Sequence, residues 1–236
     1  MTVLRSLLFN LYFFAWTLVV GLLCLPLLLG GWRLANRFGR WWAGTILAGA
    51  RVICGLKGEF RGLQHLPPGP CIVAMKHQSA WDTLAAPQFL ANPAFVLKQE
   101  LLRLPVFGWY LGRCRMLPID RKGGAKALKD LVAAAEARKA EGRPIVIYPE
   151  GTRRAPGDPP AYHVGVAALY QALDLPVVPV ALNSGLYWRR NAFAKRPGTV
   201  VVELQEPIPA GLDRRVFMRT LQARIEGASQ RLAEAG

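Results

Sequence analysis

The sequence predicts an α/β fold, a largely parallel or mixed sheet flanked by helices, preceded by an N-terminal hydrophobic helical anchor or hairpin. Three observations carry this expectation. From about residue 55 onward, short β-rich apolar runs alternate with helical stretches. Residues 6–32 contain no acidic or basic side chain, and Tyr12 and Cys24 are the weakly ionisable ones. The 236 residues are 52% apolar and show no internal repeat, which suits one α/β domain plus one membrane element.

Taken in order, the run from Ser6 to Trp32 reaches roughly 40 Å as a helix, enough for a ~30 Å hydrocarbon core with tilt. A signal peptide fits less well, because only Arg5 precedes the run and no small-x-small cleavage site follows promptly. Pro26 interrupts the pattern and predicts a kink. Arg33, Arg37 and Arg40 come next, then a second apolar, Trp-rich stretch, WWAGTILAGA, before Arg51. Two arrangements follow. One is a single span with its basic flank in the cytoplasm. The other is a hairpin dipping into one leaflet with Trp32, Trp41 and Trp42 near the interface. Both divide the chain into a membrane-anchoring segment, 1–56, and an α/β domain, 57–236, facing the cytoplasm.

Within that domain, strands are expected at 52–60, 71–76, 94–98, 144–149, 176–182 and 199–205. Helices are expected at 82–91, 101–112, 123–140, 161–173 and 212–234. The helix at 123–140 follows Gly123-Gly124, carries Ala, Leu and Val on one face, and stops at Gly142 and Pro144. Strand–helix–strand alternation of this kind favours a parallel sheet covered by helices.

Charge and cysteine usage narrow the function classes. Lys and Arg number 30 against 15 Asp and Glu, a net charge of +15 that attracts anionic partners, nucleic acid or anionic lipid. Residues 101–122 interleave Arg103, Arg113, Arg115, Arg121 and Lys122 with Leu104, Val106, Phe107, Trp109, Tyr110 and Leu111. Beside a membrane element, this mixture suits anionic headgroups. No zinc-finger spacing, RNA-binding aromatic strand or basic zipper supports nucleic acid. The cysteines at 24, 54, 71 and 114 fit neither a disulfide framework nor a metal site, so reduced, unmetallated thiols are expected.

Two segments carry candidate chemistry. His77-Gln-Ser-Ala-Trp-Asp82 directly follows the strand CIVAMK, where open α/β sheets place ligand sites. A carboxylate five residues on can accept the imidazole Nδ1–H, fix the tautomer and raise the basicity of Nε2. No nucleophile elbow or similarly placed cysteine accompanies the pair, and Ser79 lies inside the turn, where it braces the loop. The favoured chemistry is a histidine base activating a substrate hydroxyl, without an acyl-enzyme. Tyr148-Pro-Glu150-Gly151-Thr152-Arg153-Arg154 follows the next buried strand. Its glycine permits close backbone approach, and Arg153 offers a planar fork for phosphate oxygens. Glu150 is a poor direct phosphate contact because of its own charge.

Four blocks then resemble the glycerolipid acyltransferase family, in particular bacterial 1-acyl-sn-glycerol-3-phosphate acyltransferases. They are HQSAWD at 77–82, LLRLPVFGWYLGRCRMLPIDR at 101–121, YPEGTRR at 148–154 and PVVPV at 176–180. Two departures stand out. Lys76 precedes His77 where many members have Asn, and Tyr162-His163-Val-Gly stands where Phe-Lys-x-Gly is common.

The resemblance implies His77 as base and Asp82 as its partner. It implies Lys98, Arg121, Glu150, Gly151, Thr152 and Arg153 as the lysophosphatidic acid site. It implies acyl transfer from acyl-CoA or acyl-carrier protein, as co-substrate, to the sn-2 hydroxyl, forming phosphatidic acid with no other cofactor and no metal. An unassigned backbone N–H would receive the developing oxyanion. Expected partners are an anionic phospholipid membrane, the lysolipid and the donor, but no nucleic acid, with the enzyme on the cytoplasmic face of a bacterial inner membrane. Alternatives are acylation of another lysolipid, such as a lyso-ornithine lipid, and a non-catalytic lipid-binding module.

Overall fold

The computed structural model describes residues 1–236. Seven strands form one sheet in the order β1-β7-β6-β2-β5-β3-β4. They are β1 (Leu56–Arg61), β2 (Ile72–Met75), β3 (Ala94–Lys98), β4 (Leu117–Ile119), β5 (Ile145–Ile147), β6 (Val177–Leu182) and β7 (Gly198–Leu204). All neighbouring pairs are parallel except β6–β7. Strands β2 to β6 therefore end at one common carboxyl edge, which sets the stage for the site.

The central strand β2 shows why two layers are needed. All four of its residues are buried. Val73 and Met75 point into one core with α2 (Gly31–Cys54), α3 and Val200, Val202 and Leu204 of β7, whereas Ile72 and Ala74 point into a second core with α5, α6 and α7. Here α3 is Trp81–Phe89, α5 Gly124–Ala140, α6 Val164–Leu173 and α7 Arg214–Glu234. Helix α7 begins at an Asp213 cap whose carboxylate accepts from the Arg215 and Val216 amides.

Helices α1 (Thr2–Leu23) and α2 (Gly31–Cys54) form an antiparallel hairpin joined by a 3-10 turn at Leu25–Gly30, which contains Pro26. Tyr12 OH donates to Thr45 O at 3.0 Å, Trp16 Nε1 to Thr45 Oγ1 at 2.8 Å and Trp42 Nε1 to Thr17 Oγ1 at 3.2 Å. Gly49 makes this approach possible, because a Cβ there would overlap the Tyr12 ring.

The hairpin also packs on the domain at both ends of α1. Lys195 N donates to Ser6 Oγ at 2.9 Å, and Tyr110 OH donates to Gly21 O at 3.0 Å. Helix α1 thus lies along the domain rather than projecting away from it, paired with α2 as a hairpin. Its outer face leaves Leu4, Leu7, Leu8, Leu11, Phe14, Leu18 and Leu22 exposed in one stripe.

Three elements depart from the expected boundaries. Residues 52–54 complete α2, and β1 starts only after Gly55, whose left-handed conformation (φ 71°) caps the helix. The stretch 101–112 is not one helix but a 3-10 turn, Gln99–Arg103, followed by α4, Phe107–Arg113. Pro105 and the positive φ of Val106 (62°) break it, and Gly108 fits because any Cβ would strike the Leu102 carbonyl. Strand β4, only three residues long, was hidden inside the basic-aromatic block.

All four cysteines are free thiols, and only Cys24 is not buried. Burial pushes the Cys71 thiol up to about 11 and the Cys114 thiol up to about 12. A raised thiol value keeps the unreactive protonated form at neutral and mildly alkaline pH. Maleimide at pH 7.5 is therefore expected to label Cys24 in the folded protein and all four cysteines only after denaturation, as counted by intact-mass spectrometry.

Candidate active site

The carboxyl edge of the parallel strands gathers the candidate residues. Asp82 sits in the first turn of α3, where a carboxylate complements the helix dipole. It is fully buried, and four donors surround it. His77 Nδ1 lies 3.0 Å from Oδ2, Gln78 N donates to Oδ2 at 2.7 Å and Ser79 N at 2.8 Å. Ser184 Oγ donates to Oδ1 at 2.5 Å. Because Oδ2 accepts from two amides, the proton between it and the imidazole belongs on Nδ1, leaving the Nε2 lone pair free as a base. Ser79 braces the turn, as its place in the sequence predicts, since its Oγ accepts from Trp81 N at 3.1 Å.

Behind the imidazole lies a buried charge cluster. Lys76 Nζ donates to Glu150 Oε1 at 2.8 Å and to Glu226 Oε2 at 2.7 Å, while Tyr162 OH donates to Glu226 Oε1 at 2.9 Å. Glu150 Oε2 accepts from His77 N at 3.4 Å. Burial pushes the Glu150 carboxyl above its ordinary range, and the Lys76 ammonium opposes that shift. The Glu150 carboxylate therefore braces the histidine segment from within; its side chain is 1% exposed. Lys76, one of the two departures noted in the sequence, is what makes this brace, together with Glu226 of α7.

The cationic side is more open. Gly151 has a positive φ of 60°, and a Cβ there would lie 2.8 Å from His163 Cδ2 and 3.6 Å from Arg121 Cζ. Arg121 and His163 thus converge on this glycine. Arg153, two residues on, forms no ion pair with a carboxylate. The segment is stitched to the histidine turn by Arg154 N, which donates to His77 O at 2.8 Å. Thr152 is half-buried with no side-chain hydrogen bond, and Lys98 is exposed at the end of β3, in register with Ile119 of β4.

On the other side lies an apolar cavity of about 500 Å³. Tyr148, Val96, Leu97 and Thr83 line it near the strand ends, and Phe14, Leu18 and Phe38 line it within the hairpin. Its volume and apolar lining suit a hydrocarbon chain.

Comparison with known proteins decides the family at this point. An acyltransferase family model matches residues 57–183, more than half of the chain. The chain belongs to the acyltransferase family. It is 40% identical over 152 residues to a 1-acyl-sn-glycerol-3-phosphate acyltransferase of Pseudomonas aeruginosa, covering 64% of this chain and 59% of that protein. It is 29% identical over 170 residues to the human 1-acyl-sn-glycerol-3-phosphate acyltransferase beta, covering 70% of this chain and 61% of that one. The alignments thus span about three-fifths of these relatives' length. The crystal structure of the 1-acyl-sn-glycerophosphate acyltransferase of Thermotoga maritima shares the fold, with a TM-score of 0.80, 98% coverage of both chains and 19% identity.

For this acyltransferase, sequence reasoning passed over Ser184 and Glu226. Ser184 left a signal, since it follows the buried strand β6 at the same edge as His77. Glu226 left none, being one of two acids in an Arg-rich helix and 150 positions from Lys76.

Two variants separate these roles. Lys76→Met leaves two carboxylates facing an apolar site and is expected to cost about 3–5 kcal/mol of stability in a urea titration. Ser184→Ala removes one hydrogen bond to a buried carboxylate, worth about 1.5–3 kcal/mol. It is expected to slow turnover about tenfold or more while the protein still unfolds cooperatively.

Proposed function

We propose that this acyltransferase moves a fatty acyl group from acyl-CoA or acyl-carrier protein to the sn-2 hydroxyl of lysophosphatidic acid, forming phosphatidic acid. One observation carries the reading: His77 stacks on Tyr148, which lines an apolar cavity of about 500 Å³, and is bonded through its carbonyl to the 151–154 segment on which Arg121 converges. A lysophosphatidate has the matching halves, an anionic head and a nearby hydroxyl, and the acyl donor supplies the chain. The relatives' names agree with it.

In the reaction, Arg153 and Arg121 hold the phosphate, with Lys98 and Thr152 as further contacts at the same edge. The sn-2 hydroxyl reaches His77 Nε2, which takes its proton as the oxygen attacks the thioester carbonyl. Asp82 stabilises the imidazolium, and the departing thiolate takes the proton back from Nε2. No acyl-enzyme is required, because a thiolate leaves readily.

The apolar stripe on α1 supports a position in one leaflet, with Arg33, Arg37 and Arg40 of α2 meeting anionic headgroups. With that basic flank on the cytoplasmic side, the reading is a protein at the cytoplasmic face of a bacterial inner membrane, its acceptor reaching the site from the bilayer. Binding to anionic over zwitterionic vesicles is expected to weaken as salt rises, measured by flotation.

The direct test is thiol release from oleoyl-CoA by the detergent-solubilised protein, with and without lysophosphatidic acid, alongside lipid product analysis. Acceptor-dependent release with phosphatidic acid formed is expected. Release without acceptor contradicts acyl transfer to a lysolipid, and acceleration only by another lysolipid contradicts the acceptor. His77→Ala is expected to lower kcat by about 10²–10⁴. Arg153→Ala is expected to raise KM for the lysolipid about tenfold, leaving the donor KM near that of the wild type.

A further inference from the structure

Around His77, six backbone donors are already committed. Gln78 N and Ser79 N go to Asp82, and His77 N goes to Glu150. Gly151 N donates to Tyr148 O at 2.8 Å, Arg154 N to His77 O, and Gly185 N to Gln78 Oε1 at 2.9 Å. The amides of His77, Gln78, Ser79, Gly151, Arg154 and Gly185 are therefore spoken for within the protein.

The Tyr148 hydroxyl is not. Tyr148 ends the buried run of β5 and turns onto the same side of the sheet as His77. Its ring stacks on the imidazole with centroids 4.0 Å apart and planes 23° from parallel. The ring also lines the apolar cavity. Its hydroxyl is buried and has no hydrogen-bond partner in the protein. A buried hydroxyl without a partner is uncommon in a folded chain, so this one calls for a ligand.

Resting on the acyl-transfer reading above, we propose that Tyr148 is a catalytic residue whose hydroxyl donates a hydrogen bond to the thioester carbonyl oxygen and holds it as the oxyanion forms. An acyl chain lying in the cavity brings its carbonyl to the mouth where Tyr148 and His77 stack. As the lysolipid oxygen bonds to the carbonyl carbon, the C=O π pair moves onto the carbonyl oxygen, and the hydroxyl proton passes to His77 Nε2. Collapse returns that pair to the C=O bond and breaks the C–S bond. The thiolate then takes the proton from Nε2. Tyr148 keeps its own proton throughout. Burial, assisted by the Asp82 charge, pushes its phenol well above the ordinary range, so it remains a donor at every working pH. A donor aimed at the position where charge develops is stronger in a dry site than in water.

Tyr148→Phe keeps the ring and the stack on His77 and deletes only the donor. With oleoyl-CoA and lysophosphatidic acid, kcat is expected to fall about 10²-fold, the usual cost of one oxyanion donor, with the lysolipid KM and the melting temperature unchanged. A purely packing role for Tyr148 predicts kcat within twofold of the wild type, and that result overturns the proposal. A second readout needs no acceptor. Oleoyl-CoA carrying carbon-13 at its carbonyl is bound to each protein, and its C=O stretch is read by isotope-edited infrared difference spectroscopy. The band is expected at lower frequency in the wild type than in Tyr148→Phe. Equal frequencies overturn the proposal even if turnover falls. If the lysophosphatidate reading fails instead, wild-type thiol release will not respond to that acceptor, while the carbonyl band still reports on Tyr148.

Discussion

The Asp82 carboxylate is the point at which two distant parts of the chain meet. It is buried without a cationic side chain beside it, so its charge is tolerable only if nearly every lone pair finds a donor. Two donors come from the turn it closes, one from His77 and one from Ser184 at the end of β6. Moving any of these segments would strand a charge in a site that water does not reach. The geometry of the base is thus enforced by the cost of leaving Asp82 unsatisfied, rather than by the weak preference of a surface imidazole for one rotamer.

The remaining architecture follows from keeping that arrangement at the boundary between two unlike environments. Parallel strands bring β2, β3, β4, β5 and β6 to one edge, so a histidine, a tyrosine and several cations are collected from segments far apart in sequence. The Lys76–Glu150–Glu226 cluster ties this edge to α7 on the opposite face of the sheet. The α1–α2 hairpin closes the apolar side and supplies part of the cavity wall. It is held to the domain at Ser6 and Gly21, near the two ends of α1, so the cavity keeps a defined relation to His77.

How far the sequence reveals all this depends on the range of the interaction. His77 and Asp82 are five residues apart, and their pairing is a local turn that spacing alone expresses. The alternation of strands and helices is equally local, and so were the apolar runs of the hairpin. Ser184 and Asp82 lie 102 positions apart, and Lys76 and Glu226 lie 150 apart, so neither pairing has a spacing to read. The same limit explains β4. Its three residues have too little alternation to show a strand, and its place depends on pairing with Val96, Leu97 and Lys98. The break at Pro105 and Val106 was visible as a proline, but the positive φ of Val106 belongs to a tight turn, closed by Phe107 N donating to Pro105 O at 2.7 Å, that the proline alone does not specify. Glu150 shows a different limit. Its unsuitability as a phosphate contact followed from its charge, whereas its bracing role emerged only once Lys76 was seen against it.

The central claim is that Asp82 holds His77 with the proton on Nδ1 and an open lone pair on Nε2. Nitrogen-15 NMR of the His77 ring in the protein, above the pH at which it loses its charge, reads that arrangement directly. The account predicts a pyrrole-type, protonated Nδ1 and a pyridine-type, unprotonated Nε2, with the difference between them collapsing in Asp82→Ala. A neutral ring carrying its proton on Nε2 would contradict the account, because such a ring could not accept the substrate's proton there.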